Sequence, residues 1–251
     1  MNAPVAVVLA AGKGTRMKSE LPKVLFPVCG RPMVHFVVEA LQRAGVQRII
    51  VVVGYRSDLV REELGAIAGI EFVEQTEQLG TGHAVQMAEE KLTGHEGPVF
   101  VVAGDSPLLQ SESLQKLLTQ YSQRPHAALL GTLLKDDPTG LGRIVRDEDG
   151  KFVGIVEHKD ASDEQRAIRE VNMSTYLFNN ADLLRGLGML SNDNSQGEYY
   201  ITDVPGLLLE QGCLVEALPV LNQCEALSIN TVDELSLVEA KMAELGYPLN
   251  A

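Results

Sequence analysis

The stretch from Leu9 to Lys23 gathers the residue types that phosphate chemistry needs. Gly12 and Gly14 let the backbone turn tightly and bring amide N–H groups close to an anion. Four cations, Lys13, Arg16, Lys18 and Lys23, fall within eleven residues. Two standard phosphate loops fail against this stretch. Met17 stands where GxGxxG needs its third glycine, and GxxxxGK[ST] has no match. What remains is a two-glycine loop, read either as a basic surface turn or as an anion cradle. A cation cluster directly beyond a strand's carboxyl end, where α/β proteins bind ligands, favours the cradle.

Two further loops carry candidate chemistry. In Gln75-Thr76-Glu77-Gln78-Leu79-Gly80-Thr81-Gly82-His83, a glutamine amide offers a donor and an acceptor, which match the N3–H and O4 edge of uracil. Gly80 and Gly82 allow close backbone approach, and Thr81 is placed to cap the following helix. An ordinary strand-to-helix loop would read the same way. In Gly104-Asp105-Ser106-Pro107-Leu108, a carboxylate at the end of a buried strand is placed to hold Mg²⁺ against substrate phosphates. The alternative for Asp105 is a turn former beside a proline.

These loops need strands and helices to position them. Val5–Ala10, Ile49–Val53, Ile70–Val73, Val99–Ala103 and Ala127–Leu134 read as buried strands. Between them lie helical stretches at Met33–Ala44, Asp58–Leu64 with Ser57 as N-cap, Gly82–Leu92 and Glu112–Tyr121. Continuous apolar strands separated by helices predict an α/β fold, a doubly wound, mostly parallel sheet covered on both faces. After about residue 140 the pattern changes. Arg143–Val145 and Phe152–Val156 flank Asp147–Gly150 as a hairpin, followed by strand Val171–Phe178, helix Ile201–Gln211, strand Val215–Val220 and helix Val232–Leu245. The expectation is one domain over 1–251: a half that binds nucleotide to about 140, a smaller lobe over about 141–230, and a C-terminal helix over 231–251.

Charge and composition narrow the function. The chain of 251 residues carries a net charge of −13, which argues against general nucleic-acid binding. Residues 1–50 nevertheless hold seven Lys and Arg against Glu20 and Glu39, so the surplus of cations sits where the anion cradle is read. Three cysteines, Cys29, Cys213 and Cys224, show no CxxC spacing and are expected to be buried small hydrophobes in a reducing compartment. The longest apolar run, Ala3–Gly12, is too short to span a bilayer, and no basic residue precedes it, so a cytoplasmic protein without a membrane partner is expected. His35, His95 and His126 show no metal spacing, and His83 is expected to be structural. Nothing in the sequence speaks to oligomeric state.

Leu9 to Lys23 resembles the signature of the sugar-1-phosphate nucleotidyltransferases, roughly LAAGxGTRM followed by PK, whose fold is Rossmann-like. The resemblance implies that Leu9, Ala10, Gly12, Gly14 and Thr15 bind substrate, and that Arg16 and Lys23 act on the reacting phosphates. It places Gln75, Gly80 and Thr81 around uracil. It makes Asp105 a ligand to Mg²⁺, with Asn230 in Ser228-Ile229-Asn230-Thr231 as the second. Asp137–Ile144, Val156–Ala161 and Gln196–Asp203 look like the uridylyltransferase halves of bifunctional N-acetylglucosamine-1-phosphate uridyltransferases, and there Gly140, Glu157 and Asn172 match the sugar-contacting positions. The implied reaction joins UTP and N-acetylglucosamine 1-phosphate into UDP-N-acetylglucosamine and pyrophosphate. Another sugar 1-phosphate, such as glucose 1-phosphate, and a non-catalytic UDP-sugar binder are the alternatives. Two departures touch the sugar side: Ala103 replaces a usual Tyr, and Met173-Ser174 stands where Thr-Gly is common. No β-helix repeats are found, so acetyl transfer is not expected.

Overall fold

The computed structural model describes residues 2–14, 20–229 and 232–248, with Val232 and Asp233 as backbone only. Nine strands among these residues form one sheet. Its continuous path begins at β11 (Val215–Leu218) and β7 (Ala128–Leu134), then runs through β10 (Glu170–Asn179), β6 (Pro98–Ala103), β1 (Val5–Ala10), β4 (Arg48–Val53) and β5 (Ile70–Glu74). Strands β6, β1, β4 and β5 are parallel neighbours, as are β11 and β7, whereas β10 runs antiparallel between β6 and β7. A hairpin of β8 (Gly142–Arg146) and β9 (Phe152–Val156) hangs from β10 through Arg143 and Gly142. The strands of the second half thus extend the same sheet. A separate pair, β2 (Pro27–Val28) with β3 (Arg31–Pro32), follows the glycine loop.

Alternation along β1 shows why its sequence is apolar throughout. Val5 and Val7 enter one core with Ala84 and Val85 of α3 (Thr81–Gln86), Leu92 of α4 (Glu89–Leu92), Leu183 and Leu187 of α7 (Asn180–Leu187) and Leu208 of α8 (Val204–Glu210). Ala6, Val8 and Ala10 enter another with Val34 and Leu41 of α1 (Met33–Arg43), Leu64 of α2 (Ser57–Leu64) and Leu117 of α5 (Ser111–Gln123). Each such Val or Leu contributes about 1.5–3 kcal/mol, so both faces of the strand must be greasy. A third cluster packs Val238 and Met242 of α9 (Val232–Glu244) onto Val28, Cys29 and Phe36, and Glu239 Oε1 accepts from Cys29 N at 2.8 Å.

Several boundaries differ from the sequence reading. The helix expected over Gly82–Leu92 is two helices, because Ala88 N–H reaches only three residues back to Val85 O and tightens the turn. Ser57 is the first helical residue rather than the cap. Arg56 holds that place with φ 49°, and Ser57 Oγ donates to Glu74. Likewise Gly80 precedes α3, with Thr81 as its first residue. The helix expected from Ile201 begins as a 3₁₀ turn over Ile201–Asp203, since Pro205 has no N–H to give Ile201 O. Pro219 stops β11 at Leu218 for the same reason. Two helices were not foreseen: α6 (Asp163–Arg166), opened by a capping box at Ser162, and α7, capped by Asn179.

Candidate active site

The carboxyl ends of β1 and β6 are pulled together by the chain itself. Gly104 N donates to Leu9 O at 2.9 Å, and a Cβ on Gly104 would lie 2.8 Å from that oxygen. Asp105 therefore emerges beside the glycine loop, where its Oδ2 meets Lys23 Nζ at 2.7 Å. Gly14, at φ +65°, lies so close to Lys23 that a Cβ would come within 2.6 Å of the lysine Cβ. Lys13 Nζ stands 5.1 Å from the Tyr55 ring centre. Thr15, Arg16 and Asn230 lie outside the described residues.

A cavity of about 230 Å³ opens beside this loop, lined by Leu9, Gly12, Gln75, Gly80, Thr81 and Glu198 among others. Five of the residues expected to bind nucleotide therefore share one space. Ala10 does not join them, because strand alternation turns its side chain into the opposite core. Gln75 is buried, and its Nε2 donates to Gly80 O and to His83 Nδ1, both at 3.0 Å. Both amide hydrogens are thus committed, and Oε1 is the group left for a base. This corrects the expectation that Gln75 offers donor and acceptor together. His83 is structural, as expected, since its Nδ1 accepts from Gln75. Thr81 also departs from its expected capping role: its Oγ1 accepts from Ile201 N at 3.1 Å. The base loop is further tied to the second half by Tyr199 N to Leu79 O at 2.8 Å and Gly82 N to Tyr199 O at 2.7 Å.

A second cavity of about 220 Å³ is lined by Glu157, His158, Lys159, Gln196, Glu198 and Tyr200. Glu198 borders both cavities. Burial pushes the Glu157 carboxyl up, partly offset by a hydrogen bond from Thr202, and Asp203 and Asp160 push it further. Burial likewise raises Asp203, again with Asp160 adding to the shift. A Cβ on Gly142 would sit 3.5 Å from Asn172 Cβ and 3.6 Å from Glu157 Oε1, so Asn172 and Glu157 flank one point of β8. Asn172 does not line the cavity. It is buried with Nδ2 donating to Tyr176 Oη at 2.7 Å and Oδ1 accepting from Ser174 N at 3.3 Å. Gly140 lies exposed at φ +79° two residues before Gly142.

Sequence reasoning gave no roles to Glu198, Tyr200, Thr202, His158 and Tyr176. The segment 196–203 carried a resemblance, with a helix expected from Ile201, and its pairing with Leu79 and Gly82 shows its place. Ser174 adopts φ 51° at the bulge between Asn172 and Tyr176, a left-handed conformation that glycine takes freely. Elsewhere, His126 is buried against Glu216, His35 pairs with Glu63 at 2.7 Å, and Cys29 and Cys224 are buried. Cys213 is only half-buried, because its Sγ accepts from Arg185 Nη2 at 2.9 Å at the surface. No helix among the described residues is long and apolar enough to cross a membrane.

Comparison with known proteins shows the family and the fold. A protein of an Exiguobacterium species named bifunctional protein GlmU is 48% identical over 237 residues, covering 94% of this chain and 52% of the relative. One of the same name from Bacillus cereus is 45% identical over 242 residues, covering 96% and 52%. The chain spans about half the length of the curated relatives it matches. In fold it is similar to a Bacillus anthracis protein assigned as a glucose-1-phosphate thymidylyltransferase and solved with a sucrose. The TM-score is 0.78 at 18% identity, over 99% of this chain and 96% of that one. The model of the MobA-like NTP transferase domain matches residues 6–144, the part of the chain that carries the glycine loop, the base loop and Asp105, and the chain belongs to that family.

Proposed function

We propose that this chain is a UDP-N-acetylglucosamine pyrophosphorylase, transferring UMP from UTP to N-acetylglucosamine 1-phosphate. The observation that carries the reading is the Lys23–Asp105 pair at 2.7 Å beside the glycine loop and its cavity. A cation and a carboxylate thereby stand together where, in this reading, the triphosphate lies. The relatives named GlmU support the uridylyl and sugar choice, since the likeness runs through the second cavity as well as the first.

In this reading an oxygen of the sugar phosphate forms a bond to the α-phosphorus of UTP while the bond from that phosphorus to the β-phosphate bridging oxygen breaks. Pyrophosphate leaves with the electron pair. A phosphate is already ionised at neutral pH, so positioning and charge neutralisation matter more than a base. Lys23 meets charge building on the phosphates, joined by Arg16. Gln75 Oε1 orients the base, Gly12 and Gly14 admit the triphosphate, and Glu157 meets the sugar side, with Asn172 behind it, its amide held by Tyr176.

No group of three or more His, Cys, Asp or Glu side chains that could hold a metal is found among the described residues. One carboxylate is nonetheless what Mg²⁺ fits when phosphates and water fill its octahedron, and Asp105 supplies it, with Asn230 as the second proposed ligand. Mg²⁺ bound there would neutralise phosphate charge. In this reading the substrates are UTP and a sugar 1-phosphate, and the enzyme works in the cytoplasm.

The test is pyrophosphate release measured across UTP, dTTP and CTP with N-acetylglucosamine 1-phosphate and glucose 1-phosphate. UTP with N-acetylglucosamine 1-phosphate should give the highest kcat/KM. A preference for glucose 1-phosphate would overturn the sugar and spare the reaction class. No release with any pair would leave a UDP-sugar binder. Asp105→Asn removes charge at constant shape and should shift the Mg²⁺ requirement upward; an unchanged Mg²⁺ titration would place the metal elsewhere.

A further inference from the structure

Arg143 lies on β8 with 1% of its surface exposed, and it makes no ion pair among the described residues. Burying a guanidinium without a carboxylate is expensive, so the charge must be held by dipoles. Its donors go to the carbonyl of Leu141, to the carbonyl of Arg166 from Nε at 3.3 Å and Nη2 at 3.2 Å, and to His158 Nδ1 from Nη2 at 3.3 Å. Arg166 is the last residue of the one-turn helix α6, where carbonyls lack an intrahelical partner. Burial still pushes the Arg143 pKa down, with only distant Asp137 pushing the other way before Arg166 adds to the drop.

Of the three segments tied by this side chain, the one carrying His158 lines the second cavity. Leu141 follows Gly140, Arg166 closes the excursion after Asp160, and His158 lines the cavity itself next to Glu157. The bond to His158 also fixes the imidazole chemically. A guanidinium has only donors, so His158 Nδ1 must accept, and the ring proton of that tautomer sits on Nε2. No hydrogen bond to Nε2 is found among the described residues, so the ring keeps one N–H to offer.

We propose that Arg143 is a positioning residue which, through His158 Nδ1, holds the imidazole as an Nε2–H donor to an oxygen substituent of the sugar, making His158 a specificity residue of the second cavity. This rests on the reading of that cavity as the sugar-phosphate site. Such a donor contributes to sugar binding and leaves UTP binding alone. The arrangement also explains why an unpaired buried cation is kept: Met in its place would pack as well and cost less to bury, but would leave the tautomer and the loop carbonyls unfixed.

The experiment compares His158→Ala, His158→Gln, Arg143→Met and the double variant Arg143→Met/His158→Ala in the intact chain. KM for sugar 1-phosphate, KM for UTP and the thermal midpoint are read for each. His158→Ala should raise the sugar-phosphate KM about tenfold, the loss expected for one hydrogen bond of about 1.4 kcal/mol, with the UTP KM within about twofold. His158→Gln, whose amide N–H reaches the Nε2 position, should recover most of the loss. Arg143→Met should show the same KM split, and the double variant should be little worse than the worse single one, because both act on one contact. Equal rises in both KM values, or full additivity, would reduce Arg143 to a structural role and overturn the proposal, as would an unaffected His158→Ala.

Nitrogen-15 NMR of the imidazoles gives a readout that needs no turnover. Wild type should show His158 as the Nε2–H tautomer, and Arg143→Met a mixture; an Nδ1–H tautomer in wild type would overturn the proposal even if Arg143→Met fails to fold. If no sugar 1-phosphate is used by wild type while the tautomer stands as stated, the functional reading fails and the positioning of His158 by Arg143 does not.

Discussion

At the first cavity the protein works with backbone: Gly14, Gly54, Gly80 and Gly104 each leave less than 3.0 Å for a Cβ against Lys23, Ala11, Tyr199 or Leu9. Around the second cavity it works with buried side chains instead. Arg143 gathers carbonyls, Asn172 is held by Tyr176, and Glu157 keeps a raised pKa between Thr202 and two aspartates. The difference is one of chemistry. Phosphates have one shape, and a turn of amides fits them whatever sugar follows. A sugar is recognised by oxygens at particular places, which needs side chains of particular length held in fixed rotamers.

The comparison can be broken most sharply at Lys23. Lys23→Ala should lower kcat/KM by about 10²-fold, roughly 2.7 kcal/mol, as expected for a pre-placed charge, and should do so alike for every sugar 1-phosphate tried. A loss that varied with the sugar would mean that the two cavities are not separate in role. Gly80→Ala comes next. Its Cβ would lie 2.4 Å from Tyr199 O at φ +109°, so a cost of about 1–3 kcal/mol is expected in the denaturant midpoint together with a higher UTP KM. An alanine accepted without loss would show that the loop is not held by backbone contact.

Glu157→Gln sharpens the other side. A carboxyl whose folded pKa is raised binds its proton more tightly in the native state. Its contribution is therefore present at low pH and lost as pH rises through the folded value. Glu157→Gln should thus be more stable than wild type at pH 7, by a margin that shrinks on acidification, while its sugar-phosphate KM rises. Thermal midpoints from pH 4 to 8 read this directly, and a margin independent of pH would contradict it. The smallest effect is expected at Ser174, at φ 51°. Ser174→Gly relieves the left-handed strain but adds chain entropy to the unfolded state, so a net gain within about 1 kcal/mol is expected by chemical denaturation. A loss would mean that the contacts of the Ser174 side chain outweigh the strain.

This contrast also governs what was legible in the sequence. The parallel strands β1, β4, β5 and β6 were read to within a residue; β1, β4 and β6 are apolar runs buried on both faces, while edge strand β5 is half-buried and interrupted by Glu71. Leu9, Gly12, Gln75, Gly80 and Thr81 were legible as a set because a backbone-built loop leaves its glycines in the sequence. That Gln75 spends both amide hydrogens on Gly80 and His83 was not, since hydrogen-bond partners depend on a fold around the loop. Helix α7 was missed because Asn180 and Asp182 soften its apolar period, and its capping Asn179 closes a strand. Arg143 and Tyr176 read as ordinary strand residues, and only the hairpin and the bulge turn them inward.

The stitching of the base loop to Tyr199 and Ile201 has a consequence for how the site comes into being. Thr81 Oγ1 and Ile201 N are 120 positions apart, so the wall of the nucleotide cavity forms by closing a very long loop of chain. Such closure carries a loop-entropy cost, so this contact should form after the local helices and together with long-range pairs such as Val5 with Val99. A partly folded chain would then own the glycine loop without the pocket beside it. On the proposed function, nucleotide affinity belongs to the finished fold, and UTP added during refolding should stabilise the last step by mass action.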